Sequence, residues 1–244
     1  MHTASNQPHS QAAGKLRIVG DVHGQITPDD VMSPGARTYL ELIEGASESV
    51  QIGDMGDGET YQQLQASVDP RRHRFFPGNH DHYDCLPSHC LGDFGSHTLG
   101  GVDFFFIRGA ASTDRDKLLR LGRELGKALW FAEEELTDAQ MQEAEQAYLA
   151  GRPAIVLSHD APTEMARFAW NVARQRRRSS LEAKFYPSRT SEFLARLWNQ
   201  HAPRLWVFGH HHHECQCVTD KTLFVCVGEL SMIDIGTEGI LKAT

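Results

Sequence analysis

Ala202-Pro203-Arg204-Leu205-Trp206-Val207-Phe208-Gly209-His210-His211-His212-His213 is a short apolar run that stops at one glycine and four histidines. A buried strand ends this way when its tip delivers imidazoles to a metal: glycine frees the backbone to turn, and neutral imidazole is the commonest nitrogen ligand. The period of two in an extended chain then assigns His210 and His212 to one side, and His211 and His213 to the other. A purification scar is also rich in histidine, but such tags sit at termini and this run follows a strand inside the chain.

Working outward, the same arrangement recurs upstream. Leu16-Arg17-Ile18-Val19 leads into Gly20-Asp21-Val22-His23-Gly24, where Asp21 and His23, two apart, leave one face of an extended segment and can share a cation. Ser49-Val50-Gln51-Ile52 runs into Gly53-Asp54-Met55-Gly56-Asp57-Gly58, and Arg74-Phe75-Phe76 into Pro77-Gly78-Asn79-His80-Asp81. A further strand, Pro153-Ala154-Ile155-Val156-Leu157, finishes Ser158-His159-Asp160. One Asp-His pair reads equally well as a surface turn, but strand, glycine and ligand-type side chain repeated in order do not. In an α/β sheet, ligands bind beyond the carboxyl ends of the strands, where each of these clusters falls.

Between the strands the pattern turns helical. Ser33-Pro34 offers an N-cap and a first-turn proline for a helix through Ala36, Tyr39, Leu40 and Ile43. Leu118, Leu121, Leu125 and Leu129 share one helical face and read as packing, although Gly122 and Gly126 each weaken a helix by about 1 kcal/mol relative to Ala. Thr137 to Gln140 has the capping-box pattern ahead of Met141, Ala144 and Tyr148, and Phe193, Leu194, Leu197 and Trp198 mark a helix after Thr190 or Ser191. Val102 to Ile107 is an almost continuous apolar run, as expected of a strand covered on both faces. Short strands follow at 214–218, 223–227 and 239–241.

With 244 residues and 40% hydrophobic content the chain can bury a large core, and residues 15–244 read as one α/β domain after a polar, aperiodic tail over 1–14, expected to be disordered. A net charge of -8 argues against a general nucleic-acid-binding surface. Arg174, Arg176, Arg177 and Arg178 form a basic cluster in the excursion after His159-Asp160, either a solvated face or a cleft wall for an anionic substrate larger than one phosphate. No apolar run reaches the roughly 18 residues of a membrane span and no charged-then-apolar leader opens the chain, so the expectation is a cytoplasmic protein without membrane contact. Five cysteines without framework spacing exclude a disulfide scaffold, and Cys215 and Cys217 read as small core residues on one strand face.

The order Gly-Asp-x-His, Gly-Asp-x-x-Asp, Gly-Asn-His-Asp, strand-end His159 and Gly-His-x-His resembles the calcineurin-like metallophosphoesterase superfamily from Asp21 to His212. That resemblance implies a four-layer α/β/β/α sandwich of two mixed sheets with a dinuclear metal site at one edge. It implies that Asp21, His23 and His212 hold one divalent cation, that Asn79, His159 and His210 hold the other, and that Asp54 bridges them. Manganese is favoured, with iron or zinc as alternatives for this mixed N/O set. Attack on phosphorus by a metal-activated hydroxide follows from the resemblance, with His80 as general acid and Asp57, in preference to Asp81, orienting it.

The chain departs from two branches. Gly58-Glu59 stands where protein serine/threonine phosphatases carry Arg-Gly, and His159-Asp160-Ala161-Pro162 replaces the His-Ala-Gly they share with diadenosine-tetraphosphate hydrolases. Arg108 is the candidate replacement phosphate clamp, Arg115 a weaker one, and Asn79 a second substrate contact. The expectation is a phosphoesterase for a phosphorylated substrate, a monoester or small diester. Its alternatives are a nuclease or cyclic-nucleotide phosphodiesterase of the same fold, or a non-catalytic binding scaffold.

Overall fold

Apolar runs that end in ligand-type residues become parallel strands whose tips share one edge. The computed structural model describes residues 14–32, 35–177, 185–219 and 221–241; the expected tail, the Ser33-Pro34 helix start and Arg178 lie outside the described residues. The strands are β1 (Lys15–Val19), β2 (Ser49–Gln51), β3 (His73–Phe75), β4 (Phe94–Leu99), β5 (Val102–Ile107), β6 (Ile155–Ser158), β7 (Leu205–Phe208), β8 (Cys215–Val218), β9 (Leu223–Cys226), β10 (Met232–Gly236) and β11 (Gly239–Ile240). The helices are α1 (Tyr39–Ile43), α2 (Gly58–Ser67), α3 (Arg115–Leu125), α4 (Asp138–Gly151), α5 (Thr163–Arg177) and α6 (Arg189–Gln200).

Two mixed sheets result, one in the order β11-β10-β1-β2-β3 and one in the order β4-β5-β6-β7-β9-β8. Within them β1, β2 and β3 are parallel, as are β5, β6, β7 and β9, while β4, β8, β10 and β11 pair antiparallel at the flanks. Side chains alternate across each strand, so β5 sends Phe104 and Phe106 inward against Leu16, Ile18 and Val50 of the facing sheet. Its Phe105 and Ile107 point outward against Tyr148 of α4, Ala166 of α5 and Phe193 of α6. On the far side of the other sheet, Val19 and Phe75 are covered by Tyr39 and Leu42 of α1 and Tyr61 and Leu64 of α2. This is the expected α/β/β/α layering, and it explains why the strands read as continuous apolar runs.

Several local expectations shift. The first helix starts at Thr38, whose hydroxyl accepts from Glu41 N while Glu41 caps Thr38 N in return. The final long helix starts at Arg189 with Ser188 as its N-cap. Strands β4 and β10 were not expected; β4 reads Phe-Gly-Ser-His-Thr-Leu and is mostly half-exposed, so it lacks an apolar signature. The leucine face of α3 is not a packing face: Leu121 and Leu125 are exposed and only Gly122 of the helix is buried. Gly126, at φ 67°, stops the helix before Leu129 can join that face. Cys215 and Cys217 do pack against the outer core, and no disulfide forms among the described residues. Among the described residues no helix is long and apolar enough to cross a membrane.

Arg17, in the middle of β1, joins two layers. Its Nε and Nη2 donate to Asp234 of β10 at 2.9 and 3.2 Å, and Nη1 donates to the carbonyls of Leu42 and Glu44 at 2.9 and 2.8 Å. Lys15 also reaches Asp234 at 2.9 Å but is largely exposed. Burial opposes the charge on Asp234, yet Arg17 and Lys15 hold its carboxyl below the ordinary value. The stabilisation is therefore present at neutral pH and lost as pH falls below about 4 through the depressed pKa. Arg17→Ala should cost about 2 kcal/mol in denaturant unfolding at pH 7, less at acid pH, because two carbonyls and a carboxylate lose partners. Lys15→Ala should cost under about 1 kcal/mol. Equal losses for the two variants would contradict this assignment.

Candidate metal centre

Every residue the sequence nominated as a ligand reaches the common edge of the two sheets. Asp21, His23, Asp54 and His212 each offer one donor atom to a single cluster, and Asp54, His159 and His210 to a second, with donor atoms in each group within 4.8 Å of one another. Asn79 joins the second group, its Oδ1 lying 3.1 Å from His159 Nε2. Asp54 therefore belongs to both.

The loops are tied together before any ligand is considered. Val22 N and His23 N donate to Asp54 O at 3.0 and 2.8 Å, Leu230 N donates to Asp21 O at 2.9 Å, and Gly209 N donates to His159 O at 3.0 Å. Each fully buried carboxylate adds one more tie: Asp21 Oδ1 accepts from His210 N at 3.1 Å, and Asp54 Oδ1 accepts from His80 N at 2.8 Å. The opposite oxygen of each, Asp21 Oδ2 and Asp54 Oδ2, is buried without a hydrogen-bond donor. Around them stand His212 Nε2, 3.1 Å from Asp21 Oδ2 without hydrogen-bond geometry, and His23 Nε2, 3.9 Å from Asp54 Oδ2 and 3.1 Å from His212 Nε2. Unpartnered carboxylate oxygens facing converging imidazole nitrogens are a donor set for divalent cations, and the residues fit that group.

Backbone conformation supports the same reading. Among the described residues, non-glycine residues with positive φ are few, and His23 (49°), Asp54 (60°), His210 (66°) and His212 (58°) are four of them. Such φ values are disfavoured for side chains bearing Cβ and concentrate at functional sites. They also correct the alternation argument: His210 and His212 turn toward the centre by left-handed backbone, not by the pleat of an extended strand. His211 between them is half-buried, edge-on to the Phe208 and His210 rings and 3.8 Å from Asp160. Gly209 is needed for room more than for turning, because a Cβ there would sit 2.5 Å from Asp21 Oδ1.

Protonation follows from these contacts. Burial works against charge on His159, but the Asp54 carboxylate 3.3 Å away lifts it to about 10. Burial likewise opposes the Asp54 charge, and His159, His23 and His80 outweigh it and hold the carboxyl well below its ordinary range. His210 is pushed far down by burial and by His211 and His159, which favours the neutral imidazole, the form in which histidine can ligate a metal.

A second set of residues holds the ligands in place, and most of it was not nominated. Asp81 is fully buried and accepts from Asp54 N at 2.8 Å, Gly56 N at 2.9 Å, Gly78 N at 2.7 Å and the Tyr61 hydroxyl at 3.0 Å. It thus locks the β2 and β3 loops together through these donors. Asn79 Nδ2 donates to Ser112 Oγ at 3.1 Å; Ser112 in turn donates through Oγ and N to the buried Glu134 at 2.6 and 3.1 Å. This fixes which way the Asn79 amide faces. Ser112 and Glu134 carried no motif, and only the contact to Asn79 reveals them.

Two nominated residues take other roles. Asp57 was expected to orient His80, but its Oδ1 accepts from Thr60 N and Oγ1 at 3.2 and 3.1 Å as the N-cap of α2. Its place before a helix, three residues from Thr60, commits that oxygen to the cap. Arg108 was expected to clamp phosphate, but it is 4% exposed and its guanidinium is held by Asp93, the Glu133 carbonyl and the Tyr83 hydroxyl. Arg115 lies over the Trp130 ring at 4.4 Å.

Gly78 gives the sharpest test of the packing. An added Cβ would fall 2.2 Å from Asp54 Oδ1 and 2.5 Å from His159 Nε2, whereas one at Gly151 would meet its nearest neighbour at an ordinary 3.7 Å. Gly78→Ala should lower bound divalent cation measured by equilibrium dialysis and elemental analysis, while Gly151→Ala should retain it. Full cation binding by Gly78→Ala would show that the two ligand groups are not held as described.

Residues 14–214 match the calcineurin-like phosphoesterase family. A search of curated proteins finds no match. Among solved structures the chain is similar to the phosphopantetheinyl hydrolase of Mycobacterium tuberculosis, with 15% identity, TM-score 0.46 and coverage of 90% of this chain and 91% of that one. It is similar to GAP50 of Plasmodium, the anchor in the inner membrane complex (14% identity, TM-score 0.49, coverage 95% and 76%), and to Vps29 of Entamoeba histolytica complexed with zinc (12%, 0.33, 88% and 74%). The family match runs over most of the 244 residues and through every candidate ligand from Asp21 to His212, and the chain belongs to the calcineurin-like phosphoesterase family.

Proposed function

We propose that the chain is a two-metal-dependent phosphoesterase acting on a phosphomonoester or a small phosphodiester. The observation that carries this reading is Asp54, shared by both ligand groups, with Oδ1 tied to His80 N and Oδ2 buried and unpartnered. In the assignment, Asp21, His23 and His212 hold one cation, Asn79, His159 and His210 the other, and Asp54 both. Two such cations, manganese by preference with iron or zinc as alternatives, supply Lewis acidity toward phosphoryl oxygens and a water of lowered pKa.

The chain's own residues do the rest. A full set of candidate ligands, with both carboxylates buried and oriented, favours catalysis over a scaffold that has lost it. Asn79, with its amide nitrogen directed by Ser112 and Glu134, borders the cavity beside the cluster and is the polar contact for a phosphoryl oxygen. His80 follows it, lines the cavities on both sides of the centre and rests edge-on against His23 at 5.6 Å between ring centroids. Its imidazole is the proton donor to the leaving oxygen, positioned by the backbone tie to Asp54 and by the His23 ring, since Asp57 is engaged in capping. A cavity of about 720 Å³ suits a small ester, and a net charge of -8 disfavours a long polyanion.

His80→Ala should keep both cations and lose about 10²–10⁴-fold in rate with an alkyl phosphate, and much less with a nitrophenyl ester that needs no proton on leaving. Steady-state rates with both esters, beside metal analysis, check this. Loss of cations, or equal losses with the two esters, would assign His80 a different role.

A further inference from the structure

The cavity beside the metal centre has a second wall that phosphoester hydrolysis alone does not require. Helix α5 presents Ala166, Trp170 and Ala173 to it, residues spaced four and three apart and hence on one helical face. Phe185, Tyr186 and Pro187 line the same cavity.

The wall is fixed to the metal edge. Ser188 Oγ donates to Asp160 Oδ2 at 2.9 Å, and Asp160 follows the ligand His159. Tyr186 thus stands two residues from an anchored position, yet its side chain is 78% exposed. Among the described residues, an exposed tyrosine lining a cavity offers a stacking face. The aromatic surface also carries charge: the Arg174 guanidinium lies 4.6 Å from the Trp170 ring centroid and that of Arg167 lies 5.5 Å from Phe185. Trp170 and Phe185 meet edge to face at 6.1 Å. Positive charge against an aromatic lining suits an anionic ligand that also carries a flat ring.

We infer that this wall is the subsite for the organic part of the substrate, and that the substrate is a nucleotide-like phosphoester with a flat heteroaromatic group stacked on Tyr186 and bordered by Trp170. The inference rests on the phosphoesterase reading and adds the class of alcohol released. Of the arginines first noted in this segment, Arg174 lies against Trp170; the side chains of Arg176 and Arg177, and all of Arg178, lie outside the described residues.

The test compares adenosine 5′-monophosphate with glycerol 3-phosphate, both esters of a primary alcohol, so that leaving-group reactivity is matched. On manganese-loaded protein, kcat/KM should favour the nucleotide by at least about tenfold, and Tyr186→Ala should raise KM for the nucleotide by about tenfold while glycerol 3-phosphate changes by less than about twofold. Tyr186→Phe should behave as the parent, and Trp170→Ala should share the selective loss. No preference for the nucleotide, or equal losses on both esters, overturns the subsite while leaving the phosphoesterase reading intact. If neither ester is hydrolysed, calorimetric binding of adenosine 5′-monophosphate decides: binding that weakens about tenfold in Tyr186→Ala supports the subsite although the catalytic reading fails, and absence of binding overturns it.

Discussion

Two carboxylates that water does not reach, each with one oxygen lacking a donor, set the constraint on which the structure depends. Burying an unpaired carboxylate costs several kcal/mol even after relaxation. Asp21 and Asp54 are nevertheless fully buried, because each gives its first oxygen to a backbone N–H of another ligand loop and keeps its second for the centre. The same two residues thus bring the ligand loops together and create the charge that a cation must answer. Left-handed φ at His23, Asp54, His210 and His212, of order 1–3 kcal/mol each, adds to what the rest of the fold must offset. Three apolar clusters, one between the sheets and one under each helical layer, provide that offset and keep the strained loops at a single edge.

Precision comes from a supporting set of buried polar groups. Asp81 gathers three amide N–H groups from two loops, so that Asp54 and Gly78 cannot move independently. Burial and the nearby Asp54 charge both raise the Asp81 pKa, and the amide and Tyr61 donors work to keep its carboxylate ionised. Glu134 and Ser112 serve Asn79 in the same way, which orients the one ligand whose oxygen and nitrogen would otherwise be interchangeable. Glycines at 53, 78 and 209 clear space for this packing: at each, a Cβ would lie within 2.5 Å of a ligand side-chain atom.

What could be read from the sequence was what is encoded locally. An apolar run, a glycine and an Asp or His lie within ten residues of one another, so the strand tips and all seven candidate ligands were legible, as was the Thr137–Gln140 capping box. Contacts between distant segments were not. Arg108 shows its charge in the sequence but not the Asp93, Glu133 and Tyr83 groups that consume it. Asp57 looked like the acid of a motif and is a helix cap; Glu134 carried no motif and is a buried anchor. The leucines of α3 have the spacing of a packed face, but packing needs an opposing surface, which periodicity does not report. The pleating argument that divided the four histidines between two sides is replaced by left-handed backbone at His210 and His212.

The central claim is that Asp54 serves two cations at once. The direct measurement is metal stoichiometry, by elemental analysis after saturation with Mn²⁺ and removal of free ion, for the parent chain and for Asp54→Asn. The account predicts two ions per chain in the parent, and in Asp54→Asn at most one, with hydrolysis of an aryl phosphate lost. One ion per saturated parent chain, or two ions with normal hydrolysis in Asp54→Asn, would contradict it.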